Sequence, residues 1–117
     1  MPRAEALRLF VYGSLQRGQA NHAELGRARF VASVHTAPRF ALREIAGYPA
    51  LVFGDRAIAG ELFELELSDL PALDEFEGAA YERREIELAD GSRASSYLAR
   101  NPGAGRPLAS TRWPNPE

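Results

Sequence analysis

The sequence predicts an α+β domain in which six or seven short strands curl into a small barrel beside two short helices. Short apolar runs bounded by glycine, proline and turn residues recur along the chain, which is typical of strands. Only two segments carry helix-start signals, so the element order departs from the strand–helix alternation of a doubly wound sheet. So many short strands leave exposed edges unless the sheet curls, which favours a barrel.

The first half of the chain contains one predicted helix among strands. The run 7–12 is apolar and aromatic and ends at Gly13, which predicts a buried strand followed by a turn. Asn21 with Glu24 three residues later resembles a capping box and predicts a short helix over 21–28. Alternating or apolar runs predict further strands at 29–36, 40–45, 48–53 and 58–67. A turn at Gly54-Asp55 predicts that the last two form a hairpin.

The second half begins with the other predicted helix. Ser68 is the expected N-cap, Pro71 lies early enough to be tolerated, and Gly78 supplies the stop. The turn Asp90-Gly91 between the runs 81–88 and 94–99 predicts a second hairpin. The segment 101–117 has four prolines among its last sixteen residues and is expected to be a docked or frayed tail of a single domain spanning 1–117.

Composition excludes several kinds of chemistry. All 14 basic residues are arginine and there is no cysteine, so lysine and thiolate nucleophiles, disulfides and cysteine metal sites are ruled out. His22 and His35 share no metal-ligand spacing, and we expect no metal and no cofactor. The formal charge of −2 lacks the basic excess of a nucleic-acid binder. We therefore expect no nucleic-acid partner.

The expected cellular location follows from the lack of a secretion signal and of a membrane-spanning segment in the sequence. Arg3, Glu5 and Arg8 interrupt the segment where a secretion signal needs an apolar core. The longest uncharged stretch, about 45–54, is well below the roughly 20 residues that span a bilayer. A cysteine-free chain also fits a reducing compartment. We expect a soluble cytoplasmic protein with no membrane partner, either a monomer or a weak homodimer.

Glu77 is the most informative position. With 100° per residue in a helix, its side chain falls between Leu70 and Leu73 on the apolar face, whereas Glu75 faces solvent. A carboxylate in an apolar pocket has a raised pKa and becomes able to accept and return protons near neutrality. The alternatives are that Glu77 turns to water or pairs with Arg83 or Arg84. Asp74, Glu75 and Glu82 are expected to form a solvated acidic face.

The turn after the first strand is the second candidate feature. Gly13 permits unusual backbone angles, and the N–H groups of Gly13, Ser14 and Leu15 are able to converge on an anion such as a carboxylate. An ordinary strand-to-helix turn is the alternative, with His22 as a surface or capping residue. Tyr12 and Tyr97 are strand aromatics that are equally consistent with core packing. No His–Asp relay accompanies Ser14, so a serine hydrolase is disfavoured.

Two motifs resemble the γ-glutamyl cyclotransferase-like superfamily, and more closely its small γ-glutamylamine cyclotransferase-like branch. Segment 10–15, Phe-Val-Tyr-Gly-Ser-Leu, followed by 17–22, resembles the signature substrate loop. Segment 73–78, Leu-Asp-Glu-Phe-Glu-Gly, followed by Tyr81 and Arg83, resembles the catalytic-glutamate segment. The segments 48–52 and 60–63 lie between them in the expected order, so the resemblance covers roughly 7–100.

The resemblance implies a small mixed β-barrel with two or three flanking helices and a cofactor-independent cyclotransferase. Such enzymes convert γ-glutamyl amides into 5-oxoproline and a free amine, by an intramolecular aminoacyl transfer of the transferase and lyase classes. The expected substrate here is a γ-glutamylamine or a γ-glutamyl-lysine-like amide. By similarity, Glu77 is the catalytic acid/base, Gly13, Ser14 and Leu15 bind the γ-glutamyl group, and Tyr12 and Tyr97 line the pocket. The short C-terminus leaves open which amine departs.

Two other functions remain open from the sequence. The first is a non-catalytic module that uses the same loop to bind an amino-acid-like carboxylate. The second is an RNA-binding barrel, which the negative charge and the lack of a basic-aromatic stripe disfavour.

Overall fold

The computed structural model describes residues 6–114 and contains, within that range, eight strands and one α-helix. The strands are β1 (Ala6–Val11), β2 (Arg29–His35), β3 (Phe40–Ile45), β4 (Tyr48–Phe53), β5 (Ala59–Glu66), β6 (Tyr81–Glu87), β7 (Arg93–Ala99) and β8 (Arg106–Leu108). Helix α1 spans Leu70–Glu77, and short 3₁₀ helices cover His22–Leu25 and Leu67–Asp69.

The strands form one mixed sheet in the order β2-β5-β1-β7-β4-β3-β8, with β6 paired to β7 off this path. Strand β7 runs parallel to both β1 and β4, and the other paired strands are antiparallel. The sheet curls into a half-barrel with few, short helices, which confirms the predicted α+β class.

Both faces of the central strands are buried, because the sheet curls around one core and carries α1 over another. Along β1, Phe10 belongs to the first cluster, with Leu42, Leu51 and Leu98. Its neighbours Leu9 and Val11 point the other way and pack with the second cluster, which includes Leu70 and Leu73 of α1. Alternate residues of one strand therefore serve two cores. This placement sets the end of β1 next to the end of α1.

Three local predictions are wrong. The strands at 48–53 and 58–67 do not form a hairpin, because β4 pairs with β3 and β7 while β5 pairs with β1 and β2. A hairpin does join β6 to β7, as predicted. The helix expected over 21–28 is only a 3₁₀ turn, since Asn21 makes no side-chain cap there. Ser68 is not the cap of α1: Asp69 holds that position, also without a side-chain hydrogen bond.

The C-terminal tail is docked against the sheet as far as the structure describes it. Residues 106–108 form β8, a strand that the sequence did not predict, and pair antiparallel with β3. Beyond it, Ala59 donates its backbone N–H to the carbonyl of Thr111 at 2.9 Å, and Trp113 packs against the first hydrophobic cluster. Residues 115–117 of the predicted tail lie outside the described range.

Candidate active site

The chain leaves β1 through a tight turn at residues 13–16, closed by a hydrogen bond from the Gln16 N–H to the Gly13 carbonyl at 3.0 Å. Among residues 6–114, no acceptor is found for the backbone N–H groups of Gly13, Ser14 and Leu15. Gly13 and Leu15 are buried and Ser14 is half-buried. Buried backbone donors are seldom left unpaired, so this turn offers a cluster of donors to an acceptor outside the fold.

Asn21 and His22 hold this turn in place. Asn21 donates its side-chain amide to Ser14 Oγ at 2.9 Å and its backbone N–H to the Ser14 carbonyl at 3.0 Å. His22 Nδ1 lies 2.9 Å from the Leu15 carbonyl oxygen, and its ring packs on Phe63. The sequence suggested that these two residues cap a helix or lie at the surface. Their polar groups instead fix the conformation of the donor turn.

Space, rather than an unusual backbone angle, requires glycine at position 13. The predicted conformational freedom is not used, because Gly13 is absent from the glycines with positive φ among the described residues. A Cβ added to Gly13 would lie 2.7 Å from Pro49 Cγ, closer than side chains tolerate. Pro49 of β4 therefore packs directly on the backbone of the turn.

Glu77 is the last residue of α1, and its half-buried side chain lies on the same side as the buried Leu70 and Leu73. Burial raises the pKa of Glu77 from 4.5 to about 7. Within residues 6–114, Glu77 forms no hydrogen bond or ion pair through its carboxylate. The alternative pairing with arginine does not occur, since Arg83 binds Asp74 and Arg84 binds Glu82.

Tyr12, Tyr81 and Tyr97 line the cleft with Glu77. The pKa of each is raised by burial above all and also by the charge of Glu77, and each hydroxyl donates its hydrogen bond to another group. Tyr12 donates to the Tyr97 carbonyl at 2.6 Å, Tyr81 to the Pro49 carbonyl at 3.1 Å, and Tyr97 to Asp74 Oδ1 at 2.6 Å. Burial, and then the charge of Glu77, raise the pKa of Tyr81 to about 12. Because no tyrosine proton reaches Glu77, its ionised form gains no stabilising hydrogen bond from them.

Tyr12 has a structural role besides lining the pocket. Its buried hydroxyl also accepts the Leu51 N–H at 3.0 Å, so one oxygen links β7, β4 and the end of β1. Burial raises the pKa of Tyr12 well above its usual range. This hydroxyl has no further proton to offer, and Tyr12 contributes its ring to the cleft.

Asp74 keeps 41% of its side chain exposed, in line with the expected solvated face, but its carboxylate is also paired. Arg83 donates to both of its carboxylate oxygens, at 2.9 and 3.1 Å, and Tyr97 donates to one of them. The hydrogen bond from Arg83 is the largest influence on the Asp74 carboxyl and lowers its pKa. Burial opposes this effect, and the hydrogen bond from Tyr97 lowers the pKa further. Asp74 is therefore charged at neutral pH and orients Tyr97. These partners of Asp74 were not predicted from the sequence.

The residues of the turn that offer N–H groups, Glu77 and the three tyrosines line one cleft of about 380 Å³. All six residues predicted from the sequence line it, namely Tyr12, Gly13, Ser14, Leu15, Glu77 and Tyr97. Ten lining residues were not predicted as site residues: Phe10, Val11, Asn21, Ile45, Ala46, Tyr48, Pro49, Phe76, Ala80 and Tyr81. Of these, Tyr48 and Pro49 had been placed in the predicted strand 48–53 and in the resembling segment 48–52. The carboxylate and the donor turn thus face one space.

Residues 6–114 contain neither a metal-binding group of side chains nor a membrane-spanning helix. No three His, Asp or Glu side chains in that range are grouped so that they would hold a metal ion. None of the helices in the same range is long and apolar enough to cross a bilayer.

Comparison with known proteins gives consistent similarities. A family model described as gamma-glutamyl cyclotransferase, AIG2-like, matches residues 9–115. A gamma-glutamylcyclotransferase family protein, YtfP, of Escherichia coli strain K12 is 30% identical over 104 residues, covering 87% of this chain and 90% of that protein. The gamma-glutamylaminecyclotransferase of Bos taurus is 32% identical over 101 residues, covering 69% of this chain and 55% of that enzyme.

A solved structure shares the fold. The crystal structure of an AIG2-like protein from Mus musculus superposes with a TM-score of 0.69 and 27% identity, covering 82% of this chain and 78% of that one.

Proposed function

The chain belongs to the gamma-glutamyl cyclotransferase, AIG2-like family, and from that premise we propose that it cleaves γ-glutamyl amides to 5-oxoproline and a free amine. The observation that carries this proposal is the cleft in which the half-buried Glu77 faces the donor turn at 13–16. The turn offers N–H groups to an anion, and Glu77 offers a carboxylate that titrates near neutrality. A γ-glutamyl amide presents a matching carboxylate and ammonium group.

The donor turn is proposed to bind the substrate's α-carboxylate. Its three unpaired N–H groups belong to Gly13, Ser14 and Leu15, and backbone donors in such a concavity bind anions. Asn21 and His22 preserve the shape of the turn before substrate arrives. A preformed turn avoids part of the entropy cost of ordering a loop on binding.

Glu77 is proposed to move the protons. Its ionised carboxylate takes a proton from the substrate's α-ammonium, and the freed amine attacks the γ-carbonyl carbon. One C–N bond forms, which closes the five-membered lactam, and the C–N bond to the departing amine breaks. In net, two protons leave the attacking nitrogen and two arrive on the leaving nitrogen, which departs as an ammonium ion. Glu77 carries protons between these two nitrogens and ends the cycle unchanged.

The attacking group and the carbonyl belong to one molecule, so the cleft needs to fold the substrate rather than supply a nucleophile. Correctly oriented intramolecular reactions reach effective molarities on the order of 10⁵ to 10⁸ M. The reaction needs no redox change and no group beyond a proton carrier. This requirement agrees with a chain that has no cysteine or lysine.

The test is release of 5-oxoproline from a panel of γ-glutamyl amides, including γ-glutamyl methylamide. The wild-type protein is expected to release it, and Glu77→Gln is expected to lose at least about a hundredfold in rate, since positioned proton transfer contributes roughly 10²–10⁴-fold. Glu75→Gln is the matched control, because Glu75 lies on the same helix but is exposed. Binding of the amides without any release of 5-oxoproline would show a binding module instead.

A further inference from the structure

In the described range 6–114, the four lining residues of the cleft that are exposed are apolar or aromatic. Tyr48 and Phe76 keep 47% and 39% of their surface exposed, although large hydrophobic side chains are usually buried. Ala46 and Ala80 are exposed beside them, and Ile45 is half-buried. We call these five residues the mouth of the cleft; the polar lining residues Ser14, Asn21, Glu77 and Tyr81 are half-buried.

Among residues 6–114, no cation lines the cleft that would bind a carboxylate on the departing amine. Within residues 6–114, Glu77 is the one charged residue that lines it. The nearby arginines are engaged by other groups. Arg83 pairs with Asp74 and Arg17 pairs with Glu61. Arg100, which donates to the carbonyls of Ala79 and Tyr81 beside the mouth, pairs with Glu82. A carboxylate at the mouth would lose hydration without gaining a partner and would approach the negative charge of Glu77.

The aromatic ring of Tyr48 packs against the ring of Trp113 in the C-terminal tail. The ring centroids of Tyr48 and Trp113 lie 6.5 Å apart at a tilt of 40°. Trp113 is itself fixed, because Gln16 donates its side-chain amide to the Trp113 carbonyl at 2.8 Å. The tail thus connects the donor turn to one wall of the mouth.

We infer that the mouth formed by Tyr48, Phe76 and their apolar neighbours is the subsite for the departing amine. We infer that it selects amines whose substituent is apolar and uncharged, above all arylalkyl amines, over α-amino acids. This inference rests on the proposed function. If the donor turn binds the charged end of the γ-glutamyl group and Glu77 reaches the scissile bond, the departing amine must extend toward solvent. There it meets two exposed aromatic rings, and among residues 6–114 no cation lines the cleft.

A matched pair of substrates tests the inference on the wild-type protein. γ-Glutamyl phenethylamide and γ-glutamyl-phenylalanine differ only by the carboxylate on the departing group. We expect kcat/KM for the phenethylamide to exceed that for the phenylalanine derivative by at least about tenfold. We also expect it to exceed that for γ-glutamyl methylamide by about tenfold, since burying an aromatic side chain contributes about 1.5–3 kcal/mol, which corresponds to a tenfold or greater ratio.

The outcomes separate the inference from the proposed function. Turnover of the methylamide with equal or higher kcat/KM for the phenylalanine derivative would overturn the inference alone. No 5-oxoproline from any of the three amides would overturn the proposed function and the inference with it.

A pair of variants locates the preference. Tyr48→Ala should reduce the phenethylamide-to-methylamide ratio of kcat/KM by about fivefold or more, mainly through KM, because a wall of the subsite is removed. Phe53→Ala is the matched control: Phe53 is an exposed aromatic at the other end of the same strand, and it does not line the cleft. A ratio that Tyr48→Ala and Phe53→Ala leave equally unchanged would place the amine elsewhere.

Discussion

The hydroxyl of Tyr12 donates a hydrogen bond of 2.6 Å to the backbone carbonyl of Tyr97 and accepts one of 3.0 Å from the Leu51 N–H. Both partners are buried, and they belong to the two strands, β7 and β4, that meet at the floor of the cleft. A side chain that the sequence marked as a pocket tyrosine is therefore also the junction that fixes where the donor turn begins.

Removing that hydroxyl should destabilise the fold. In Tyr12→Phe a buried N–H and a buried carbonyl lose a partner, and each unsatisfied group costs about 1–3 kcal/mol. We expect the free energy of unfolding in urea to fall by about 2–4 kcal/mol. Tyr48→Phe, which removes a hydroxyl from an exposed ring, is the control and should change it little. Equal stability of the two variants would contradict the structural role of Tyr12.

The donor turn should not accept a side chain at position 13. A Cβ there would lie 2.7 Å from Pro49 Cγ, and a proline ring in a strand has little room to move. We expect Gly13→Ala to raise KM for γ-glutamyl amides at least about tenfold and to cost about 1–3 kcal/mol of stability. Gly103→Ala is the control, since its Cβ would meet its nearest atom at 3.5 Å. Unchanged KM in Gly13→Ala would remove the turn from substrate binding.

The pH dependence of kcat/KM should report the free Glu77 carboxyl. Burial raises its pKa to about 7, and only the ionised form accepts a proton. We expect kcat/KM to rise about tenfold per pH unit below pH 7 and to level off above it. The same rise of kcat/KM with pH should appear for amides of two different departing amines. If kcat/KM instead levelled off above about pH 4.5, the ordinary pKa of glutamate, Glu77 would be solvated or would not be the base.

The raised pKa of Glu77 should also lower the free energy of unfolding above neutral pH. Between pH 4.5 and about 7 the carboxyl ionises in the unfolded chain but stays protonated in the fold, so stability falls as pH rises through this window. Above it, Glu77→Gln should be more stable than wild type by at most about 3 kcal/mol, and near pH 4 the two should be equal. Urea unfolding at both pH values measures this, with the exposed Glu75→Gln as control. Equal stability of Glu77→Gln and wild type above pH 7 would contradict the buried site.

Much of the fold was predictable because its strands carry local signals. The bounds 40–45 and 48–53 agree with β3 and β4, and helix α1 ends at Gly78, whose φ of 76° suits glycine. Periodicity alone placed Glu77 on the apolar side of α1. The failures are nonlocal: β5 follows a turn signal after β4 but pairs with β1 and β2, and no local pattern marks β8.

The site was predictable only in part for the same reason. Glu77 and the turn at 13–15 were found because a helix period and a strand-ending glycine are visible in the sequence. Asn21, which clasps the turn, was mistaken for a helix cap because short polar residues suit both tasks. The bond between Asp74 and Tyr97, 23 positions apart in the chain, depends on how α1 packs on β7 and has no sequence signature.

The most direct test of the shared cleft is to follow backbone amide NMR signals of ¹⁵N-labelled Glu77→Gln as γ-glutamyl methylamide is added. Without its proton carrier this variant should bind the substrate and leave it uncleaved. The account predicts that the amide signals of Gly13, Ser14 and Leu15 shift in a saturable way while no 5-oxoproline appears. Saturable shifts confined to residues away from this turn, or 5-oxoproline formed as fast as by the wild type, would contradict it.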